Sequence, residues 1–334
     1  MTSQGPLTAF LLSSTPNALK RATTHPFLAS AGHGTLPKPR LSQWLSQDRL
    51  YAQSYIRFIG LLLSKIRLPS QNPSKPATPE QNAITVLIDA LVNIRTELAF
   101  FEKTAADYNL DLTAISPEEG GCKLTSCGSG SDITTSAGIS TSGSGSCPGS
   151  TGGPGNGDYV EGTAPGHGLC ISQGECQMPG GEVCAPGSQV ESRRVEPERC
   201  GTIFFCASRT TRAYIDMFMS AGSSGVSVLE GLAVLWATEV CYLRSWRFAA
   251  RCMGEDGERD YKKDADGGAL RERFIGNWSS VEFEEFVDRI GDVVDEMAGQ
   301  IKGAEELEIM RGRCLEWWRQ IVWLEEKFWP NVEC

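Results

Sequence analysis

Two segments before residue 110 carry apolar side chains at the three- and four-residue spacing of an amphipathic helix. The first covers 41–65, contains no proline and a single glycine, and has these aromatic and apolar side chains on one face: Trp44, Tyr51, Tyr55, Phe58 and Leu62. The second covers 84–108 and repeats the pattern: Leu87, Leu91, Ile94, Leu98 and Phe101. Prolines precede the first segment and separate the two, as expected where helices begin and end. We predict two long helices here, after a first helix over 7–24.

The C-terminal part of the chain returns to helical spacing after residue 200. The pattern predicts helices over 210–221, about 226–252, 270–278, 281–302 and 305–329. Ser223-Ser224 is the expected cap of the second of these, and Ser279-Ser280 precedes the helix at 281. No segment of any length alternates with the two-residue period of a strand, so the predicted fold class is all-α.

Residues 114–200 have a different composition, rich in Gly, Ser, Thr and Pro. Almost no large apolar side chains occur there, so the segment cannot offset the entropy of ordering. We predict a low-complexity disordered insertion at 114–200. The remainder has the size of one helical domain, and we expect residues 1–334 to form a single domain that this insertion interrupts.

Charge and cysteine content narrow the class of protein. The net charge is −10 without basic runs, which makes binding to nucleic acid or to an anionic membrane surface unfavourable. The twelve cysteines include no CxxC pair, so a metal site is not expected. Residues 1–47 lack Asp and Glu, as mitochondrial presequences do, but the first predicted helix accounts for the same residues. A secretion signal is not recognised, so we expect a cytosolic protein with reduced thiols.

Two helices carry acids within apolar stripes. Asp48 shares a face with Tyr51 and Tyr55, and Glu239 precedes Tyr242 on the helix around 226–252. A carboxylate in such a place is costly to bury unless it is paired or hydrogen-bonded. For Asp48 the alternatives are an ion pair with an arginine of a facing helix or a ligand-binding acid.

Glu239 presents the same choice between surface and pocket. It either pairs with Arg244 or Arg247 on the helix surface, or burial raises its pKa and makes it available for proton transfer. Near the C-terminus, Glu325 and Glu326 stand just before Phe328-Trp329. Either acid there is also compatible with a solvated position on a terminal helix.

Three blocks resemble the TenA/thiaminase-II family. They are His25-Pro26-Phe27-Leu28 with Gly32-His33-Gly34-Thr35-Leu36-Pro37 and Gln47-Asp48-Arg49-Leu50-Tyr51, the segment 235–246, and Trp323-Leu324-Glu325-Glu326-Lys327-Phe328-Trp329. The resemblance implies a haem-oxygenase-like helical bundle. It also implies that Asp48 binds the amine and a ring nitrogen of an aminopyrimidine in a pocket lined by Tyr51.

The resemblance extends to further site residues. It selects Glu325 as the acid three residues before Phe-Trp, which contacts the pyrimidine and serves in acid–base steps. By context Tyr214 and Trp278 match pocket aromatics of the family, and Tyr242 matches a pocket tyrosine. Each of these aromatic side chains is also compatible with a place in the core.

The chain departs from the better-known branch of the family at one position. That branch has a nucleophilic cysteine four residues before the tyrosine that matches Tyr242, and here Thr238 stands there. Cys241 is adjacent to Tyr242 and is expected on another face. Glu239 resembles the Glu-type branch found in plants and fungi, so covalent cysteine catalysis is not expected.

The resemblance implies hydrolysis of a C–N bond in thiamin-derived aminopyrimidines, with Glu239 and Glu325 as catalytic residues. Substrates would be aminomethylpyrimidine, its N-formyl form or thiamin itself, in thiamin salvage. Asp48, Tyr51, Tyr214, Tyr242 and Trp278 would bind the substrate, without metal or cofactor. Homo-oligomers are common in the family. The alternatives are a non-catalytic member that binds a pyrimidine or a partner protein, and an oxidase that uses O₂.

Overall fold

The computed structural model describes residues 5–68, 70, 77–115, 123–124, 204–205, 207–254 and 260–332. The all-α prediction is confirmed, because helices make up nearly all regular structure in these residues. The α-helices are α1 (Leu7–Ser14), α2 (Pro16–Thr23), α3 (Pro26–His33), α4 (Lys38–Lys65), α5 (Pro79–Tyr108), α6 (Arg209–Ala221), α7 (Val228–Cys252), α8 (Ile275–Trp278), α9 (Val281–Gly299) and α10 (Ala304–Phe328). Two-residue strands β1 (Lys123–Leu124) and β2 (Phe204–Phe205) pair antiparallel.

Helix α7 is the central element of the bundle. It packs against α2, α3, α9 and α10, and its buried residues are spread around the helix rather than confined to one stripe. A helix that is apolar on most faces belongs in the interior of a bundle. Helix α4 packs against α5 and α6 and also touches α7. The two long helices that carry Asp48 and Glu239 are therefore neighbours.

The start of α7 differs from the sequence-based expectation. The prediction that Ser223-Ser224 caps this helix is wrong, because the cap is Ser227, whose hydroxyl accepts from the amide of Glu230. The Glu230 carboxylate in turn accepts from the amide of Ser227, which completes a capping box. Neither Ser223 nor Ser224 has a Glu or Gln three residues later. By contrast, Ser280 caps α9 as predicted.

The predicted first helix over 7–24 is two short helices. Helix α1 ends at Ser14, and α2 begins at Pro16 in its first turn. Proline has no N–H for the helical ladder, and its ring collides with the carbonyl four residues earlier, so the helix breaks at this point. Leu11 of α1 and Leu19 of α2 both reach the core on either side of the break.

The glycines of the block at 32–34 serve the fold rather than a ligand. A Cβ at Gly32 would lie 2.2 Å from the backbone oxygen of Ala249, so only glycine lets α3 approach α7 so closely. Gly34 ends α3 with a φ of 70°, the left-handed conformation that glycine adopts readily. His25 begins the same helix, because its Nδ1 accepts from the amide of Phe27 at 3.2 Å.

A buried ion pair holds the loop next to Gly34. Both oxygens of Asp264 accept from the Arg271 guanidinium at 2.7 Å, and both side chains are almost fully buried. The guanidinium also lies 4.5 Å from the centre of the Tyr261 ring. Arg271 belongs to a π-helical turn, Leu270–Phe274, that leads directly into α8. The pair thus fixes the approach to Trp278.

The predicted insertion at 114–200 lies outside the described residues except for 114–115 and 123–124. Within the described part of the chain, no helix combines the length and the apolar character needed to cross a lipid bilayer.

Candidate active site

Four carboxyl groups from four helices lie close enough that each interacts through its charge with at least one of the others. They are Asp48 on α4, Glu97 on α5, Glu239 on α7 and Glu325 on α10. The charges of Glu325 and Glu239 raise the pKa of Asp48, and those of Asp48 and Glu239 raise the pKa of Glu97. The sequence predicted three of these four residues as site residues. The fold brings all four together.

Asp48 accepts a hydrogen bond from a phenol. Its Oδ2 lies 3.1 Å from the hydroxyl of Tyr242, and the residue is only 2% exposed. Burial raises the pKa of Asp48 to about 8, although the Tyr242 hydrogen bond acts to lower it. An arginine partner would depress the pKa instead. The structure therefore supports a pocket acid at this position and not the ion pair that the sequence also allowed.

Glu239 has a phenol partner on the facing helix. The Tyr55 hydroxyl donates to its Oε1 at 2.5 Å. Burial raises the pKa of Glu239 to about 7, and the Tyr55 hydrogen bond partly opposes this shift. Of the two arginines that the sequence offered as surface partners, Arg247 pairs with Glu284 on α9 and Arg244 is exposed, whereas Glu239 lines the cavity.

Glu97 was not predicted from the sequence. Its Oε1 accepts from the indole Nε1 of Trp278 at 2.8 Å. Burial raises the pKa of Glu97 well above its usual range. The sequence signal was an acid at the edge of the apolar stripe of α5, three residues after Ile94. A solvated acid at the rim of a helix gives the same signal, so the pattern alone does not identify it.

Glu325 forms a separate buried pair with Tyr214, whose hydroxyl donates to Oε1 of Glu325. Burial raises the pKa of Glu325 to about 8. Tyr51 links this pair to the rest of the cluster, because its ring packs edge-on against Tyr214 at 5.0 Å. The neighbouring Glu326 is the solvated acid of the two and pairs with Arg21 at 3.1 Å.

Two adjoining cavities open between these helices. The inner one has a volume of about 30 Å³, which suits one or two water molecules. Its lining comprises Asp48, Tyr51, Ala52, Tyr55, Ile94, Glu97, Glu239, Tyr242 and Phe283. The outer one has about 320 Å³, enough for a single heterocyclic ring. The two share the following residues: Tyr55, Ile94, Glu97, Glu239 and Phe283.

The predicted site residues fall into three groups, according to whether they line the inner cavity, the outer cavity or neither. The inner cavity is lined by Asp48, Tyr51, Glu239 and Tyr242, and the outer one by Trp278 and again Glu239. Tyr214 and Glu325 line neither cavity and lie behind Tyr51. The structure thus places Glu239 closer than Glu325 to the space where a ligand fits. Phe283 and Ile94 complete the lining and were not predicted.

The positions related to cysteine catalysis carry no thiolate. Thr238 is buried, and its hydroxyl donates to the carbonyl of Leu235 at 2.8 Å. Cys241 is fully buried, and burial raises the pKa of its thiol well above the usual value. The nucleophile is a thiolate in such chemistry, so Cys241 is a core residue. Among the residues that the structure describes, no group of three or more His, Cys, Asp and Glu side chains is arranged to hold a metal.

Comparisons with known proteins agree with this architecture. Residues 14–74 match the model of the TENA/THI-4/PQQC family. A crystal structure of a TenA homologue from Pyrococcus furiosus superposes with a TM-score of 0.55 at 19% identity, covering 97% of this chain and 98% of that one. At this level of identity the superposition establishes the fold, a haem-oxygenase-like bundle.

Two curated proteins are also similar. A probable transcription factor from Fusarium pseudograminearum strain CS3096 is 23% identical over 98% of this chain and 52% of its own length. A probable bifunctional TENA-E protein from Glycine max is 22% identical over 29% of this chain and 39% of its own length. The chain thus spans about half the length, or less, of these curated relatives. Residues 14–74 of this chain are thus similar to the TENA/THI-4/PQQC family, and the chain has the helical fold of a TenA homologue.

Proposed function

We propose that the protein hydrolyses a C–N bond in an aminopyrimidine derived from thiamin. The observation that carries this proposal is the group of buried and half-buried, hydrogen-bonded carboxyls around a ring-sized pocket. Their raised pKa values lie near neutrality, where a carboxyl can both give and take a proton. The family match, with thiamin-related pyrimidine chemistry as its known theme, supports the same choice. We place this salvage reaction in the cytosol.

In the proposed reaction Asp48 holds the pyrimidine by its exocyclic amine and a ring nitrogen. Tyr242 fixes the orientation of the Asp48 carboxyl through its 3.1 Å hydrogen bond. The aromatic side chains of Tyr51, Tyr242 and Trp278 supply faces and edges for the flat ring, while Tyr214 acts behind Tyr51. This arrangement orients the ring before any bond changes.

The chemical step assigns proton transfer to Glu239. In its ionised form Glu239 removes a proton from water, the water oxygen bonds to the methylene carbon, and the C–N bond breaks. Protonated Glu239 then returns its proton to the leaving nitrogen, which departs as ammonia, or as formamide from the N-formyl substrate, and hydroxymethylpyrimidine remains. The negative charge of ionised Glu239 raises the pKa of Glu325, so Glu325 holds its proton while Glu239 acts as the base.

The test is mass-spectrometric turnover of the purified protein with thiamin, aminomethylpyrimidine and its N-formyl derivative. We expect product from at least one of them, reduced about 10²- to 10⁴-fold in Glu239→Gln. Glu326→Gln is the matched control, since that carboxylate sits in a partly exposed pair with Arg21, and it should retain activity. No product from any substrate would contradict the proposal.

A second candidate is a binding module without turnover. The Fusarium relative that spans 98% of this chain is named as a probable transcription factor. Thr238 also occupies the position of the family's nucleophile. Ligand binding by calorimetry, together with no product from any of the three substrates, would favour this function.

A further inference from the structure

The residues that line the two cavities carry acids but no basic side chain. Among the described residues the lining includes Asp48, Glu97, Glu239 and Glu282, and neither lysine nor arginine is present in it. A cleft lined by one sign of charge, with apolar walls, attracts ligands of the opposite sign. Burial raises the pKa values of Asp48, Glu97 and Glu239, and a positively charged ligand beside them would favour their ionised forms. The pocket therefore favours a ligand that carries positive charge.

Glu97 has a special position within this acidic lining. It is one of five residues shared by the inner and the outer cavity. The indole of Trp278 bonds its Oε1, which fixes the orientation of the carboxyl and leaves Oε2 as a further acceptor. The reaction proposed above gives Glu97 no part in proton transfer. Its carboxyl is thus available to interact with the ligand.

Aromatic side chains surround the same junction. The ring of Tyr242 lies 5.2 Å from Trp278 and 6.5 Å from Phe283 between centroids, and both contacts are nearly perpendicular. Phe283 lines both cavities. A cation next to Glu97 would gain from aromatic faces as well as from the carboxylate. A neutral amide of similar size would lose both contributions.

We propose that Glu97 is a specificity residue that favours a substrate whose departing group is a protonated amine. This rests on the function proposed above. A pyrimidine ring in the outer cavity, with its exocyclic amine directed toward Asp48 in the inner one, lies next to the shared residues Glu97 and Glu239. The free aminomethyl form is cationic there, whereas the N-formyl form is neutral. The preferred substrate class is therefore the free amine.

The experiment compares two ligands of nearly equal shape, aminomethylpyrimidine and hydroxymethylpyrimidine, of which only the first carries an ammonium. Calorimetric dissociation constants are measured in a Glu239→Gln background, so that the amine is not consumed. To this background Glu97→Gln or the control Glu282→Gln is added. Glu282 lines the outer cavity but is exposed, and solvent screens its charge.

We expect Glu97→Gln to weaken binding of the amine about tenfold or more, with less than about threefold change for the alcohol. Glu282→Gln should change both by less than about threefold. The glutamine retains an oxygen for the Trp278 donor, and an unchanged melting midpoint would show that the fold is kept. An equal loss for both ligands, or no loss for the amine, would overturn the inference and leave the proposed function standing. If the parent protein binds neither ligand, the proposed function itself fails.

Discussion

The hydroxyl of Tyr55 donates a 2.5 Å hydrogen bond to Oε1 of Glu239, joining α4 to α7 inside the pocket. Tyr55 lies two helical turns after Asp48, so both residues share one face of α4. This face therefore carries Asp48, proposed to anchor the ring, and the hydrogen-bond donor to Glu239, proposed to move protons. This bond lowers the pKa of Glu239 against the effect of burial.

Removing the donor should shift the pH dependence of turnover. In Tyr55→Phe the pKa of Glu239 should rise, so the acidic limb of kcat/KM against pH should move upward by about one pH unit. The profile is measured with whichever substrate is turned over. Tyr108→Phe removes a phenol whose partner, Glu272, is outside the cavities, and its profile should match the parent. A Tyr55→Phe profile that also matches the parent would remove Glu239 from the base role.

The free energy of unfolding should fall as the pH rises from about 4 to about 8 through the contribution of Asp48. Its pKa is about 8 in the folded protein against an ordinary value of 3.8, so the folded state binds the proton more tightly. The stabilising contribution is complete below the unfolded pKa and is lost as the pH passes the folded one. Asp48→Asn should flatten this slope, as measured by urea unfolding at about pH 5 and about pH 8.

Glu239 and Glu325 have pKa values shifted in the same direction, so part of the slope should survive in Asp48→Asn. Asp216→Asn on an exposed position of α6 is the matched control and should leave the slope unchanged. A steeper slope in Asp48→Asn than in the parent would contradict the assigned direction of the shift.

Replacing Trp278 by phenylalanine should destabilise the protein and raise the pKa of Glu97. The change removes the indole donor to a buried carboxyl, which should cost about 1–3 kcal/mol. The pKa of Glu97 should rise further, because that hydrogen bond opposes the effect of burial. Urea unfolding measures the first effect. The exposed Trp323 offers the comparison, and Trp323→Phe should cost less than about 0.5 kcal/mol.

Breaking the pair of Asp264 with Arg271 should be among the most damaging single changes. Asp264→Asn removes the carboxylate charge that faces the buried guanidinium, at an expected cost of about 3–5 kcal/mol. Asp260→Asn removes an exposed partner of Lys263 and should cost less than about 1 kcal/mol. Equal unfolding midpoints for the two variants would argue against the structural role of the buried pair.

The helices were predictable because their residues alternate between core and surface at helical spacing. The start of α7 was missed because several serines nearby can cap a helix. Ser223-Ser224 has the hydroxyls, but only Ser227 also has an acid three residues later. The break between α1 and α2 followed from Pro16, whose effect the apolar pattern alone does not reveal. Local rules therefore locate helices better than their ends.

Asp48 and Glu239 were candidates from the sequence because each is an acid within a motif or an apolar stripe. Glu97 was missed because its partner, Trp278, lies 181 residues away in the chain. Sequence spacing within one helix says nothing about such a partner. The same limit applies to Glu325, whose partner Tyr214 lies 111 residues away in the chain.

The four carboxyls come from both sides of the long interval between α5 and α6. Asp48 and Glu97 lie before it, and Glu239 and Glu325 after it. Their phenol and indole donors cross that divide in most cases, as in the pairs Tyr55 with Glu239 and Tyr242 with Asp48. The pocket is formed by residues from both halves of the chain. Ligand binding would therefore report the association of two polypeptide fragments, 1–115 and 207–334, with each other.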